Sequence, residues 1–531
     1  MGMKAFPEVT ALGGGRVWRH TFPDFRVKVY VPKGHALADI VNFGFDAPYL
    51  IILEEEERSM AEAVAWADAR GFTALAAEHS GSVVFVYPTC EGGWDAADAS
   101  LYQSLIAESR IAQYHRDGVI MSKDRFTGVW GDCFIRGAIF RVHLFGSGKS
   151  ADYVARHCLT TLEGQYLWGP GEITPATATL ERLSVLPAPA RRDIPVVSVG
   201  NSDAVNTALA EGCDQLLVQS APDLPAAWQT LLRGCKRWCG ELSRDPSMDE
   251  MGMVMEPACA TVSTSPDNRG DDHDTAEHRI GYIAWYNKGL LNGGPVPLVL
   301  AFHGGGDSAL HMAHVSGWHR VAHRHGFLLV CVENHLNSTA TEVIALIHHL
   351  KGKYPIDERR IYASGFSMGG CKSWDLCQEY PQVFAALAPM SATFEVGLNV
   401  YGQSAPCAIN RDVPVPIFYA GGEITPLPEL PFQAEKCWDR MRYVFGVNHL
   451  RTAYDVPFHD QSGWKDPVWG IRGDRVETHD DPSRGSVLTI HYFTSDDGVE
   501  RTAFAGISGQ GHECREHTCE HAWRFMSQFT R

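Results

Sequence analysis

The hexapeptide Gly365-Phe366-Ser367-Met368-Gly369-Gly370 constrains this chain more than any other segment. A strand-like run, Arg360-Ile-Tyr-Ala-Ser364, precedes it, and a helix-like run from Cys371 to Glu379 follows. Glycines two residues either side of a serine, between strand and helix, fit a turn too tight for side chains at 365 and 369. Such a turn lifts the serine hydroxyl above the end of a sheet, where a base can reach it. The chain is therefore expected to contain an α/β layer structure, with Ser367 as candidate nucleophile.

Three further segments fall where such a serine needs them. His303-Gly304-Gly305-Gly306 directly follows the apolar run Leu298–Phe302. Glycines there let backbone N–H groups face a developing oxyanion. Gly304 or Gly305 is expected to share that task with Met368. Gly509-Gln-Gly-His512 follows the strand-like Arg501–Ala505 and precedes a closing helix from Ala522 to Phe529. This fold orders its triad Ser, acid, His, so His512 is the candidate base. Gly421-Gly-Glu423 follows the strand Val415–Ala420. That loop normally carries the acid, so Glu423 is expected to orient His512, with Asp455 and Asp460 in reserve.

The 531 residues are enough for two domains of this kind. The pattern also occurs twice. Pro297-Leu-Val-Leu-Ala-Phe302 matches Pro48-Tyr-Leu-Ile-Ile-Leu53, and Gly281–Tyr286 matches the strand Phe25–Val31. Ala322–Val330 matches Ala77–Phe85, and Ile361–Trp374 matches Val142–Ala155 in pattern. The expected architecture is two tandem α/β-hydrolase-like domains, each a mainly parallel sheet flanked by helices. Residues 1–240 form the first, 241–253 a linker and 254–531 the second. A polar loop is expected over Asp267–His278.

Over about 280–531 the chain resembles the polyhydroxybutyrate depolymerase and feruloyl esterase group of α/β-hydrolases. The resemblance rests on His303-Gly-Gly-Gly, Ser316-Gly-Trp318 and His325-Gly-Phe-Leu-Leu-Val330. It continues through Tyr354-Pro-Ile-Asp-Glu-Arg-Arg-Ile-Tyr362, the 365–370 turn, Tyr380-Pro-Gln-Val-Phe-Ala-Ala386 and Gly511-His512. It implies serine-dependent hydrolysis of carboxylic esters through an acyl-enzyme, on aromatic or hydroxyacyl, polyester-like esters. Ser367 and His512 match the group's nucleophile and base. Gly-Gly-Glu at 421–423 departs from it, since the group commonly has Asp there. The long segment between Glu423 and His512 is a second departure. Its Trp464 and Trp469, with His303, are expected to line the substrate site. A prolyl-oligopeptidase-type peptidase would share the triad, but the first half lacks the blade repeats of its gating domain. A binding or scaffold role suits the first domain only.

The first copy lacks the chemistry. Glu54-Glu-Glu-Glu57 stands where the second has His303-Gly-Gly-Gly306, and four carboxylates would repel an oxyanion. Gly146-Ser-Gly-Lys-Ser150 replaces the serine turn, with Gly148 at the nucleophile's position. A catalytically silent domain is expected, with Asp203 as a relic of the acid. Gly148-Lys-Ser imitates the end of a phosphate loop, but His143 stands where that loop needs glycine. His512, Cys514, His517, Cys519 and His521 fit no standard zinc spacing. No metal or other cofactor is expected, and the partner is a small-molecule or oligomeric ester.

The net charge of −17 argues against nucleic acid and anionic membranes as partners. No run reaches the ~18 apolar residues of a membrane helix. Met1–Pro7 has no signal-peptide core, so the chain as given reads as cytoplasmic, or as secreted if a leader was removed. Homo-oligomerisation is left open. The 14 cysteines are too dilute for a disulfide scaffold, although Cys514 and Cys519 could pair under oxidising conditions.

Overall fold

The computed structural model describes residues 10–12, 15–32, 48–79, 81–113, 141–165, 170–187, 191–238, 241–244, 248–268, 274–305, 309–333, 335–392, 397, 408–425, 427–482 and 485–531. The chain divides into two compact units, Met1–Ser247 and Met248–Arg531.

In the first unit β1 (Thr10–Leu12), β2 (Gly15–Thr21) and β3 (Phe25–Val31) run antiparallel. β4 (Tyr49–Leu53), β5 (Ser82–Pro88) and β6 (Val142–Ser147) follow, then a small hairpin of β7 (Glu163–Gln165) and β8 (Pro170–Glu172). β9 (Thr177–Glu181), β10 (Val196–Val199) and β11 (Leu216–Gln219) complete a sheet ordered β1-β2-β3-β5-β4-β6-β9-β10-β11. From β5 to β11 every pair is parallel. Parallel strands are covered on both faces, which explains runs such as Tyr-Leu-Ile-Ile-Leu, buried at every position.

A hairpin of β12 (Cys235–Trp238) and β13 (Glu241–Arg244) ends this unit. The expected linker over 241–253 is thereby corrected. Its first residues pair as a strand, Met253 begins the next sheet, and 245–247 lie outside the described residues.

The second unit contains β14 (Met253–Ser263), β15 (Glu277–Asn287), β16 (Val296–Phe302), β17 (Leu328–Val332) and β18 (Ile356–Phe366). It continues with β19 (Ala386–Met390), β20 (Ile417–Gly422), β21 (Arg475–Asp481), β22 (Ser486–Phe493) and β23 (Thr502–Ser508). The order is β14-β15-β17-β16-β18-β19-β20-β23-β22-β21, parallel from β17 to β23. The polar loop joins β14 to β15, although 269–273 lie outside the described residues. All seven residues of β16 are buried. Each large aliphatic or aromatic side chain so placed stabilises the sheet by about 1.5–3 kcal/mol.

The two sheets share one topology. β3-β5-β4-β6-β9-β10-β11 reproduces β15-β17-β16-β18-β19-β20-β23 in order and direction. The register agrees where it matters: Phe302 pairs with Gly365, and Leu53 pairs with Gly146. In each sheet the loop after the Pro-led strand therefore meets the turn after its neighbour.

The closing helix spans Glu516–Met526 rather than Ala522–Phe529. Glu520 binds Arg324 at 2.8 Å and His325 at 2.7 Å. Burial opposes its ionisation, but these partners outweigh burial and hold its carboxyl down at about 2. Burial, with His479, His517 and Arg524 nearby, lowers His521 to about 4. Both folded values lie below the unfolded ones, so the unfolded chain binds more protons as pH falls. Stability is complete above the unfolded histidine value of about 6.5 and is lost progressively below it. His521→Leu should therefore lose less unfolding temperature than the native chain between about pH 7 and about pH 4.5. Equal losses in calorimetry would remove His521 from this account.

Candidate active site

Ser367 sits between the end of β18 and the helix Met368–Glu379, with φ 54° and ψ −115°. A non-glycine residue rarely adopts this backbone, and such strain persists only where the surroundings enforce it. Here the Ser367 N–H donates to the Met390 carbonyl at 3.0 Å, and the Ser367 carbonyl accepts from Cys371 N–H at 3.0 Å. A Cβ at Gly365 would lie 2.1 Å from the Gly369 carbonyl oxygen, and one at Gly369 would lie 2.0 Å from that of Phe302. Backbone cannot yield as a side chain can. Gly365→Ala is expected to cost about 3 kcal/mol or more, read by urea unfolding.

His512 Nε2 lies 2.9 Å from Ser367 Oγ. Its Nδ1 lies 2.5 Å from Glu429 Oε1. A carboxylate only accepts, so the Nδ1–H donates to Glu429 and Nε2 is left to accept from the serine hydroxyl. The second Glu429 oxygen accepts from the Gly422 N–H at 2.7 Å. Glu429 is buried, and the Tyr419 hydroxyl donates to its carbonyl at 2.6 Å. One oxygen is thus fixed by the sheet and the other by the imidazole.

Glu423, expected beside His512, is not there. Its N–H donates to Ile507 O and extends the strand pairing one residue past Gly422. Its carboxylate lies on the side of Gly506 and Trp469. Burial, and the charge of Asp466, push that carboxyl above its ordinary value. The loop after β20 does carry the acid, but six residues later. Asp455 and Asp460 are both exposed, and neither reaches His512.

Gly304 and Gly305 turn immediately after β16. A Cβ at Gly305 would meet Met368 Sδ at 2.6 Å, so the two proposed oxyanion segments lie against each other. Met368 opens its helix, where backbone N–H groups have no partner within the helix. Gly306 lies outside the described residues.

The expected substrate-lining residues are placed differently. His303 is buried, with Nδ1 on the Gly304 carbonyl at 2.7 Å and Nε2 3.6 Å from Glu333. It braces the glycine loop from behind. Trp469 is buried and stacks on Phe504 at 5.1 Å, as part of the core. Trp464 donates from Nε1 to the Pro457 carbonyl at 3.2 Å and holds its own loop together.

The first unit keeps the turn without the serine. Gly148 has φ 57° and ψ −124°, close to Ser367. Its N–H donates to Glu181 O at 2.9 Å, as Ser367 does to Met390. The next residues, Arg182 and Ser391, both have positive φ. A Cβ at Gly148 would lie 1.9 Å from Glu55 Oε1, so a carboxylate fills the space a side chain there would need. Arg182 binds Glu55 at 2.6 Å. Asp203 begins a helix capped by Ser202 and belongs to helix geometry rather than to a triad. Lys149 pairs with Asp95, and Ser150 Oγ donates to the Leu53 carbonyl. Among the described residues no three His, Cys, Asp or Glu side chains are placed to hold a metal ion, and no helix is long and apolar enough to cross a membrane.

No family model matches the chain. A bifunctional acetylxylan esterase/xylanase of Neocallimastix patriciarum is 30% identical over 135 residues, covering 24% of this chain and 19% of that protein. A protein of Nocardia uniformis subsp. tsuyamanensis that bears an esterase name is 28% identical over 149 residues, covering 25% and 40% respectively. The chain thus spans less than half the length of either relative. Among solved structures, an acetyl xylan esterase from Aspergillus awamori shares 13% identity with a TM-score of 0.34, over 51% of this chain and 99% of that one.

Proposed function

We propose, from the premise that this chain is an α/β-hydrolase resembling the feruloyl esterase group, that its second unit hydrolyses carboxylic esters. The observation that carries the proposal is the unbroken line of contacts from Ser367 Oγ through His512 to Glu429.

The Ser367 hydroxyl attacks the ester carbonyl carbon while its proton passes to His512 Nε2. The carbonyl oxygen becomes an oxyanion and accepts from the backbone N–H groups of Met368 and Gly304 or Gly305. The intermediate collapses and the alcohol leaves with the proton from His512. Water then attacks the acyl-enzyme, His512 again taking and returning the proton, and the carboxylic acid departs. Glu429 keeps the imidazole in the accepting tautomer and balances the imidazolium charge.

The resemblance favours aromatic or hydroxyacyl esters, and the name of the Neocallimastix relative adds acetyl esters. A panel of p-nitrophenyl acetate, methyl ferulate, hydroxybutyrate oligomers and peptide anilides tests this. Turnover of one of the esters is expected; cleavage of peptide anilides without any ester would overturn it.

The shared strand order, the matched register and the matched backbone at Gly148 and Ser367 support a tandem duplication in which the first copy is catalytically silent. Gly148 offers no nucleophile and Glu55 opposes an anion. Incubation of the native chain with a fluorophosphonate is expected to label Ser367 alone, read by peptide mass mapping. A labelled peptide from the first unit would contradict silence.

A further inference from the structure

The first unit has a cavity of about 440 Å³, lined by Arg26, Glu55, Glu56, Tyr87, Trp94, Lys149 and residues 88–90, 92 and 93. Its size lies in the ordinary range for small-molecule sites, about 300–1,000 Å³. It opens beside Gly148, on the strand ends where the second unit places its triad. We propose that this cavity is a binding site for a neutral, hydroxyl-rich ring ligand, a saccharide, that is held and not converted.

The charges in the wall identify the class. Three of the four lining charges are matched by a neighbour: Glu55 by Arg182 at 2.6 Å, Arg26 by Glu57 at 2.8 Å and Lys149 by Asp95 at 2.5 Å. A charged ligand would have to compete with these pairs. A neutral polyol need not, because each hydroxyl both donates and accepts. Carboxylate oxygens of Glu55 and Glu56 accept from it, the Arg26 and Lys149 N–H groups donate to it, and such charge-assisted bonds are the strong ones.

The wall also supplies a flat surface. Tyr87 is only partly covered: the Arg26 guanidinium stands over its ring, 5.4 Å from the centre, and Trp94 meets it in a T-shaped contact at 6.3 Å, so a ligand would reach the ring by moving the Arg26 side chain. A fixed aromatic ring suits the apolar C–H face of a pyranose, leaving the equatorial hydroxyls to the ring of polar groups. Conversion has no agent here, since the turn presents Gly148 where the other unit presents Ser367.

The test is calorimetric titration of the full chain carrying Ser367→Ala with xylotriose, cellotriose and maltotriose, and with citrate and spermine as charged probes. The variant is unable to turn over esters, so the readout is separate from the reading of the second unit. Saturable binding of at least one trisaccharide is expected, weakened at least about tenfold by Tyr87→Ala and by Glu56→Gln. Glu56 is exposed, so its variant keeps the test open if Tyr87→Ala unfolds. No binding of any trisaccharide, binding unchanged in Glu56→Gln, or saturable binding of citrate or spermine alone would each overturn the proposal.

Discussion

Ser367→Ala is expected to lower kcat/KM for p-nitrophenyl acetate by about 10⁴-fold or more, while the unfolding temperature holds or rises. The loss is large because the hydroxyl forms the acyl bond itself; His512 and Glu429 have only water to activate without it. The thermal result follows from the backbone. Residue 367 sits at φ 54°, so removing the hydroxyl takes away one hydrogen bond to His512 and leaves the turn, held by Met390 and Cys371, unchanged. Ester turnover that survives the substitution would end both the nucleophile assignment and the candidate active site.

The second large effect separates two glutamates. Glu429→Gln is expected to lower kcat by about 10³–10⁴-fold, and Glu423→Gln to leave it within about threefold. The Gly422 N–H decides the outcome. It points at one Glu429 oxygen from 2.7 Å and requires an acceptor there. A glutamine obeys by turning its carbonyl toward Gly422, which leaves its NH₂ facing His512 Nδ1. Two donors cannot share that contact, so the imidazole shifts its proton to Nε2 and can no longer accept from Ser367. Glu423 has no such contact, and its carboxylate lies beside Gly506. Measuring kcat for both variants settles which carboxylate acts; the reverse pattern would return the role to Glu423.

These two glutamates also show how far the sequence could be read. Ser367, His512 and the glycine turns were legible because their spacing is tied to one backbone geometry. The acid is not. It needs only to arrive at Nδ1, and Ile424-Thr-Pro-Leu-Pro-Glu429 delivers it by a loop path that no local rule encodes. Glu423 follows the strand directly, but one more residue of pairing to Ile507 turns it away. A second signal was available: Glu429 follows Pro428 and precedes buried Leu430, an odd place for an unpaired acid. The strand order was legible in both halves because buried parallel strands read as unbroken apolar runs. Trp469 and His303 show a related limit: burial and ligand contact draw on the same residue types. Only the packing of Trp469 on Phe504, and of His303 behind its own loop, separates the two.

The carboxylate of Glu55 beside Gly148 couples two positions of the first unit. A serine at 148 would place its Cβ 1.9 Å from that oxygen, so the Glu55 side chain would have to swing away and give up its ion pair with Arg182. Replacing Glu55 alone takes the carboxylate from Arg182, which keeps the Ser147 hydroxyl, and a glycine still stands at the turn. A side chain at 148 and the present Glu55 rotamer therefore exclude each other, although the backbone around Gly148 matches that around Ser367.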